Sequence, residues 1–140
     1  MTTFEPAPPR GIRNKNPGNI MTTGVYVWHG QTGADADGYC TFEDPTYGMR
    51  AICILWVNYR EYHHCVSITD YLSRWAPSGV NPTAAYIDFM SRRLSVAPDA
   101  YLDIHDRAVD ILRAIVQFEN GINPYPDTTF LRARQMSHAR

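Results

Sequence analysis

The chain has 140 residues, a formal net charge of -1 and a pI near 6.5, with 44% hydrophobic residues. That length suits one domain whose core needs no disulfide staples. The charge offers no long-range attraction for DNA or RNA. Duplex binding needs several Lys or Arg side chains on one face, and the basic residues here do not cluster that way; Arg132, Arg134 and Arg140 sit in a polar end.

Taken in order, "MTTFEPAPPR" carries Glu5 and three prolines and lacks an apolar centre, so it reads as a flexible tail over residues 1–10, not a signal peptide. No apolar run approaches the ~20 residues of a membrane span. Synthesis in the cytoplasm is therefore expected, and action in a virion or on the periplasmic wall would need another route out.

"RGIRNKNPGNI" (10–20) follows. Pro17 fixes its own φ and pushes Asn16 towards extended backbone, while Gly18 permits positive φ, so residues 16–19 read as a defined turn. Asn14, Asn16 and Asn19 can each bond nearby backbone, as loop-building asparagines do. "VYVW" (25–28) and "YCTF" (39–42) read as short strands between glycine turns. "ADADG" (34–38) has its Gly in the wrong place for a calcium loop and reads as a plain turn. Cys40, Cys53 and Cys65 are an odd number without short spacing, which argues against a disulfide framework or a zinc site. "HHC" (63–65) is a helix end whose adjacent side chains point apart, so no metal is expected there.

The remainder is helical. Asp44 can N-cap a helix with Pro45 at its first position, and Ala51 to Val57 is apolar nearly all round, as in a core helix. Ser67 and Asp70 fit a capping box for "ITDYLSRW", which Pro77 stops. Asn81 and Pro82 open "PTAAYIDFMSRRL"; Asp103 caps a last helix that Gly121 ends. The expected fold is α+β and predominantly α: four helices behind a small N-terminal β-rich lobe, with one domain over 11–127 and a tail over 128–140.

On that last helix the apolar stripe runs Ile104, Ala108, Ile111, Leu112, Ile115, and the next step of four lands on Glu119. A carboxylate there is costly unless paired or protonated. The carbonyl end of the helix dipole and the apolar neighbours Val116 and Phe118 both favour the neutral acid. A carboxyl kept neutral near pH 6–7 is what a glycosidase uses as general acid. The competing reading is an ordinary helix end, solvated or bound to Arg13 or Arg50. Glu43, beside Asp44 at a strand-to-helix junction, is a second candidate acid whose competing role is support of the helix N-terminus. Trp28, Trp75, Tyr26 and Tyr125 could stack on sugar faces or pack in the core.

"GIRNKNPGNI", Trp28, "GQTG" (30–33), Phe42, "YGMRA" (47–51), "SITDYLSRWAP" (67–77), "NPTAAYI" (81–87) and "ENG" with "PY" (119–125) come in an order that resembles a family of small phage and prophage proteins, described as virion proteins and regarded as lysozyme-like or lytic-transglycosylase-like. The likeness spans roughly residues 10–125, with Lys15 where the pattern has Asn. "FENG…PYPD" is also similar to the Glu-then-Asp opening of phage-type lysozymes. "NPGNI", "W", "GQ" and "GMRA" resemble a segment of bacterial cell-wall glucosaminidases that there follows a helix ending in a catalytic "ESG". Here the comparable "ENG" comes last, so the analogy implies a circularly permuted lysozyme-like core with Glu119 against the 16–19 turn.

What the resemblance implies is cleavage of the β-1,4 MurNAc–GlcNAc bond of peptidoglycan, as a muramidase or lytic transglycosylase without cofactor. Glu119 and Glu43 are the candidate catalytic acids, and Asn16, Gly18, Asn19, Trp28, Gln31 and Tyr125 the candidate sugar-binding residues. Glycan strands, and other virion or secretion-apparatus proteins, are the implied partners, with no nucleic acid. The rivals are a non-catalytic virion component and a secreted toxin using the same chemistry.

Overall fold

The computed structural model describes residues 7–138. They form α1 (Arg10–Arg13), β1 (Gln31–Ala34), β2 (Cys40–Phe42), α2 (Pro45–His63), α3 (Ile68–Trp75), α4 (Thr83–Leu94), α5 (Ala108–Asn120) and α6 (Asp127–His138). The fold is α+β and mostly helical, and its two strands pair antiparallel.

Helix α2 is the axis. Asp44 accepts a bond from the Thr46 N–H at 2.9 Å, with Pro45 in the first turn, as the sequence predicts. Its buried residues include Met49, Ala51, Ile52 and Trp56, so the apolar stretch does run through the core. Helix α3 opens on the expected reciprocal box, Ser67 capping Asp70 N–H and Asp70 accepting from Ser67 N–H. Helix α5 ends at Gly121 in a left-handed conformation. Asp103 accepts from the His105 and Asp106 N–H groups, but what it caps is an isolated turn; α5 starts only at Ala108.

Four further expectations need correction. "VYVW" is not a strand. Val25 is 93% and Val27 75% exposed, and the strand instead begins at Gln31, where a partner in β2 exists. Residues 128–138 are not a tail: they continue as α6, which packs along α2 and buries Phe130 and Ala133 completely. A buried Phe contributes about 1.5–3 kcal/mol, enough to fix a short polar helix whose exposed face hides the signal. Residues 10–13 form the helical turn α1, so the tail read over 1–10 overlaps it at Arg10, and residues 1–6 lie outside the described part.

Finally, the positive φ angles of the opening segment fall on Lys15 (53°) and Asn19 (51°), not on Gly18. Asn enters that region more readily than Lys, so Lys15 holds a backbone conformation that costs it more than it costs Asn19. Gly18 serves close packing: a Cβ there would lie 2.8 Å from Ile52 Cδ1 and 3.1 Å from the Trp75 ring. Gly48 does the same from the α2 side, where a Cβ would meet the Lys15 carbonyl oxygen at 2.7 Å. Gly48→Ala should therefore lower stability by about 1–3 kcal/mol in urea titration, despite the better helix propensity of alanine. A stabilised variant would mean that the turn does not seat on α2.

A candidate acid at the wall of a cleft

The segment 14–20 is held against the helices by buried asparagines. Asn16, fully buried, donates to the carbonyls of Ile20 and Cys40 at 2.9 Å each and accepts from Ile20 N–H at 3.0 Å. From the other side Asn120, last residue of α5, donates to the Pro17 carbonyl at 2.9 Å. These bonds tie the first turn of the domain to the last turn of α5. They bring Asn19 against Glu119.

Glu119 is half-buried, and its Oε1 accepts a bond from Asn19 Nδ2 at 3.1 Å. Burial pushes its carboxyl pKa above the ordinary value, while bonds from Asn19, Tyr86 and Trp75 pull it partly back. Tyr86 is in turn kept as the neutral phenol, raised well above its usual range by burial and by the Glu119 charge. Its ring stacks on Phe118 at 3.9 Å, and its hydroxyl accepts from Trp75 Nε1 at 3.1 Å. Among the described residues Glu119 makes no salt bridge; Arg13 donates instead to the Pro8 carbonyl and Arg50 is buried.

The carboxyl opens on a cleft of about 670 Å³ whose lining includes Gly18, Asn19, Ile20, Trp75, Asn81, Arg10 and Tyr39. That lies in the range of roughly 300–1,000 Å³ for ligand pockets. Glu119 is the one carboxylate on its wall among the described residues. Arg10 is already committed: its guanidinium lies 4.4 Å from the Tyr39 ring centroid and donates to Asp37 at 3.0 Å.

Of the residues named from sequence, Glu119, Asn19 and Gly18 are brought together, and Trp75 joins them. The others are not. Asn16 is consumed by backbone bonds. Gln31 builds its own loop, accepting from Trp28 N–H and donating to the Gly33 carbonyl, and Trp28 packs edge-on to Tyr26. Tyr125 packs against Phe130 and lines a separate pocket with Asp44. Glu43 is exposed and away from the cleft; its carbonyl, not its carboxylate, takes the Lys15 ammonium. Sequence reasoning missed Tyr86 and Asn120. Tyr86 could have been found, because it shares the buried face of α4 with Met90 and Leu94 at helical spacing.

Asn19 supplies a direct check on the electrostatics. Asn19→Gly keeps the positive φ but removes the donor, so the NMR titration midpoint of Glu119 should move upward. An unchanged midpoint would mean that this bond does not stabilise the charged form.

The fold and site together define a mostly helical α+β domain with one desolvated carboxyl on the wall of an open cleft. Over 119 residues the chain is 32% identical to Protein P5 of Pseudoalteromonas phage PM2, an alignment covering 83% of this chain and 74% of that protein. The chain belongs to the family of that phage protein. No family model matches it. Among the described residues no helix is long and apolar enough to cross a membrane.

Proposed function

We propose that this protein cleaves peptidoglycan glycan strands at the β-1,4 MurNAc–GlcNAc bond, with Glu119 as general acid. The observation that supports this reading is the placing of Glu119: pushed towards its neutral form by burial, cleft-facing, and bonded by Asn19 from 100 residues earlier in the chain. A glycosidic bond breaks when its leaving oxygen is protonated as the sugar carbon becomes electron-poor. With one carboxylate on the wall among the described residues, the chemistry that fits is that of a single acid and base. Glu119 gives its proton to the departing GlcNAc O4, and the resulting carboxylate takes the proton of the MurNAc C6 hydroxyl as that oxygen bonds to C1. The products are a free GlcNAc O4–H and a 1,6-anhydro end, with Glu119 protonated again. In the resembled lysozyme-like frame, residues 18–20 would be one cleft wall and Trp75 the sugar-facing aromatic.

Purified protein incubated with sacculi, followed by mass analysis of released muropeptides, tests this. Anhydro ends are expected. Reducing ends would point to a hydrolase with a water nucleophile. Intact sacculi would favour the second reading, a glycan-binding or structural phage component, for which the observation is that Asn19 already occupies one Glu119 oxygen.

A further inference from the structure

The Glu119 cleft does not stop at Pro77. Tyr59 and Pro77 line it and also line a second pocket of about 660 Å³, which continues past the end of α2 to His63, His64 and Arg74. Arg74 and Trp75 are neighbours in the last turn of α3, so one helix end presents an aromatic to the acid and a cation to the extension.

The two cations of the groove differ in what they already hold. Arg10, on the Glu119 cleft, is held by Asp37 and by the Tyr39 ring. Arg74 is exposed and has no carboxylate within salt-bridge distance among the described residues; it faces the Tyr59 phenol and the Cys65 thiol. Asp70 also lines this pocket, but its Oδ2 accepts from the Val66 and Ser67 N–H groups. Its charge is spent on the helix cap.

We propose that this extension is a subsite for the peptide that hangs from the glycan, with Arg74 pairing a free carboxylate of that peptide. This rests on the glycan reading of the cleft. A MurNAc seated beside Glu119 carries a lactyl-linked peptide rich in carboxylates, and the pocket that shares Tyr59 and Pro77 with the cleft holds a guanidinium that touches the Cys65 thiol but pairs with no carboxylate among the described residues. The arrangement makes Arg74 a specificity residue that favours stem-bearing over stripped glycan. It is not a catalytic residue.

The test is calorimetric titration of the Glu119→Gln protein with two ligands, a GlcNAc–MurNAc disaccharide bearing a tetrapeptide and the same disaccharide with its lactyl group capped as the neutral primary amide. The stem-bearing ligand should bind about fivefold tighter, the value of one solvent-facing charge-assisted pair. Adding Arg74→Gln should erase that preference, leave the capped disaccharide unaffected, and remove the salt dependence of the difference. Equal affinities for the two ligands, or a preference that survives Arg74→Gln, would overturn the subsite. Failure of the wild-type protein to cut sacculi bears only on cleavage, because the titration needs no turnover. Binding of neither ligand would end both readings.

Discussion

Glu119→Gln should reduce release of muropeptides from sacculi by about 10²–10⁴-fold, the span usually lost with a general acid. The amide is isosteric and still accepts the Asn19 bond, so circular dichroism should be unchanged. Its stability should be kept or raised at neutral pH, for a reason that lies in the titration. Burial raises the carboxyl pKa in the folded state, so the folded protein holds this proton more tightly than the unfolded chain does. The stabilisation from that proton is full below the unfolded pKa of about 4.3 and is lost as pH rises through the folded value. Ionised Glu119 is then a cost that Gln lacks. The wild-type minus Gln difference in Tm should become less favourable to the wild type from pH 4 to pH 7. Activity should fall on the alkaline side with the same midpoint. A variant that retains activity removes Glu119 from the mechanism. A midpoint at or below about 4 removes the physical basis for its role as acid.

Asn16→Ala should be the most damaging single change in the opening segment, costing about 3–5 kcal/mol in chemical unfolding. The side chain is wholly buried and satisfies three backbone groups, among them the Ile20 N–H, which has Asn16 Oδ1 as its acceptor. Truncation leaves the Ile20 N–H dry and without its acceptor, while the Ile20 carbonyl keeps the Cys40 N–H; a buried donor left unpaired costs more than the bond was worth. Had Asn16 been a sugar ligand, the same change would cut glycan affinity and leave the fold alone. Asn19→Ala in parallel separates the two roles, since Asn19 faces the cleft and Asn16 does not.

What the sequence made legible follows from range. Caps and stops are local chemistry, so Asp44, the Ser67 and Asp70 box and Gly121 could be placed from a few neighbouring residues. The anomaly at Glu119 was equally local, a carboxyl at the next step of an apolar stripe. Strand identity was not. "VYVW" has every β-favouring residue type and no partner, while Gln31–Ala34, with a glycine in it, pairs with β2. Helix α6 was hidden for the opposite reason: two buried residues, Phe130 and Ala133, carry its packing on an otherwise polar segment. Among the asparagines, spacing marked all of 14, 16 and 19 as loop-builders. Which one turns to the cleft depends on the arrival of α5, and no local pattern encodes that.

The bond between Asn19 and Glu119 joins residues 100 positions apart, and Asn120 to Pro17 spans 103. Closing a loop of that length costs about 4 kcal/mol of chain entropy before either contact returns anything. On the ribosome, the wall of the cleft is made early and must wait for nearly the whole domain before its acid exists. Any nascent or prematurely ended chain that stops short of α5 carries the asparagine turn without Glu119 to meet it. Assembly of this wall is thereby a late event in synthesis, completed only when α5 is available to meet the asparagine turn.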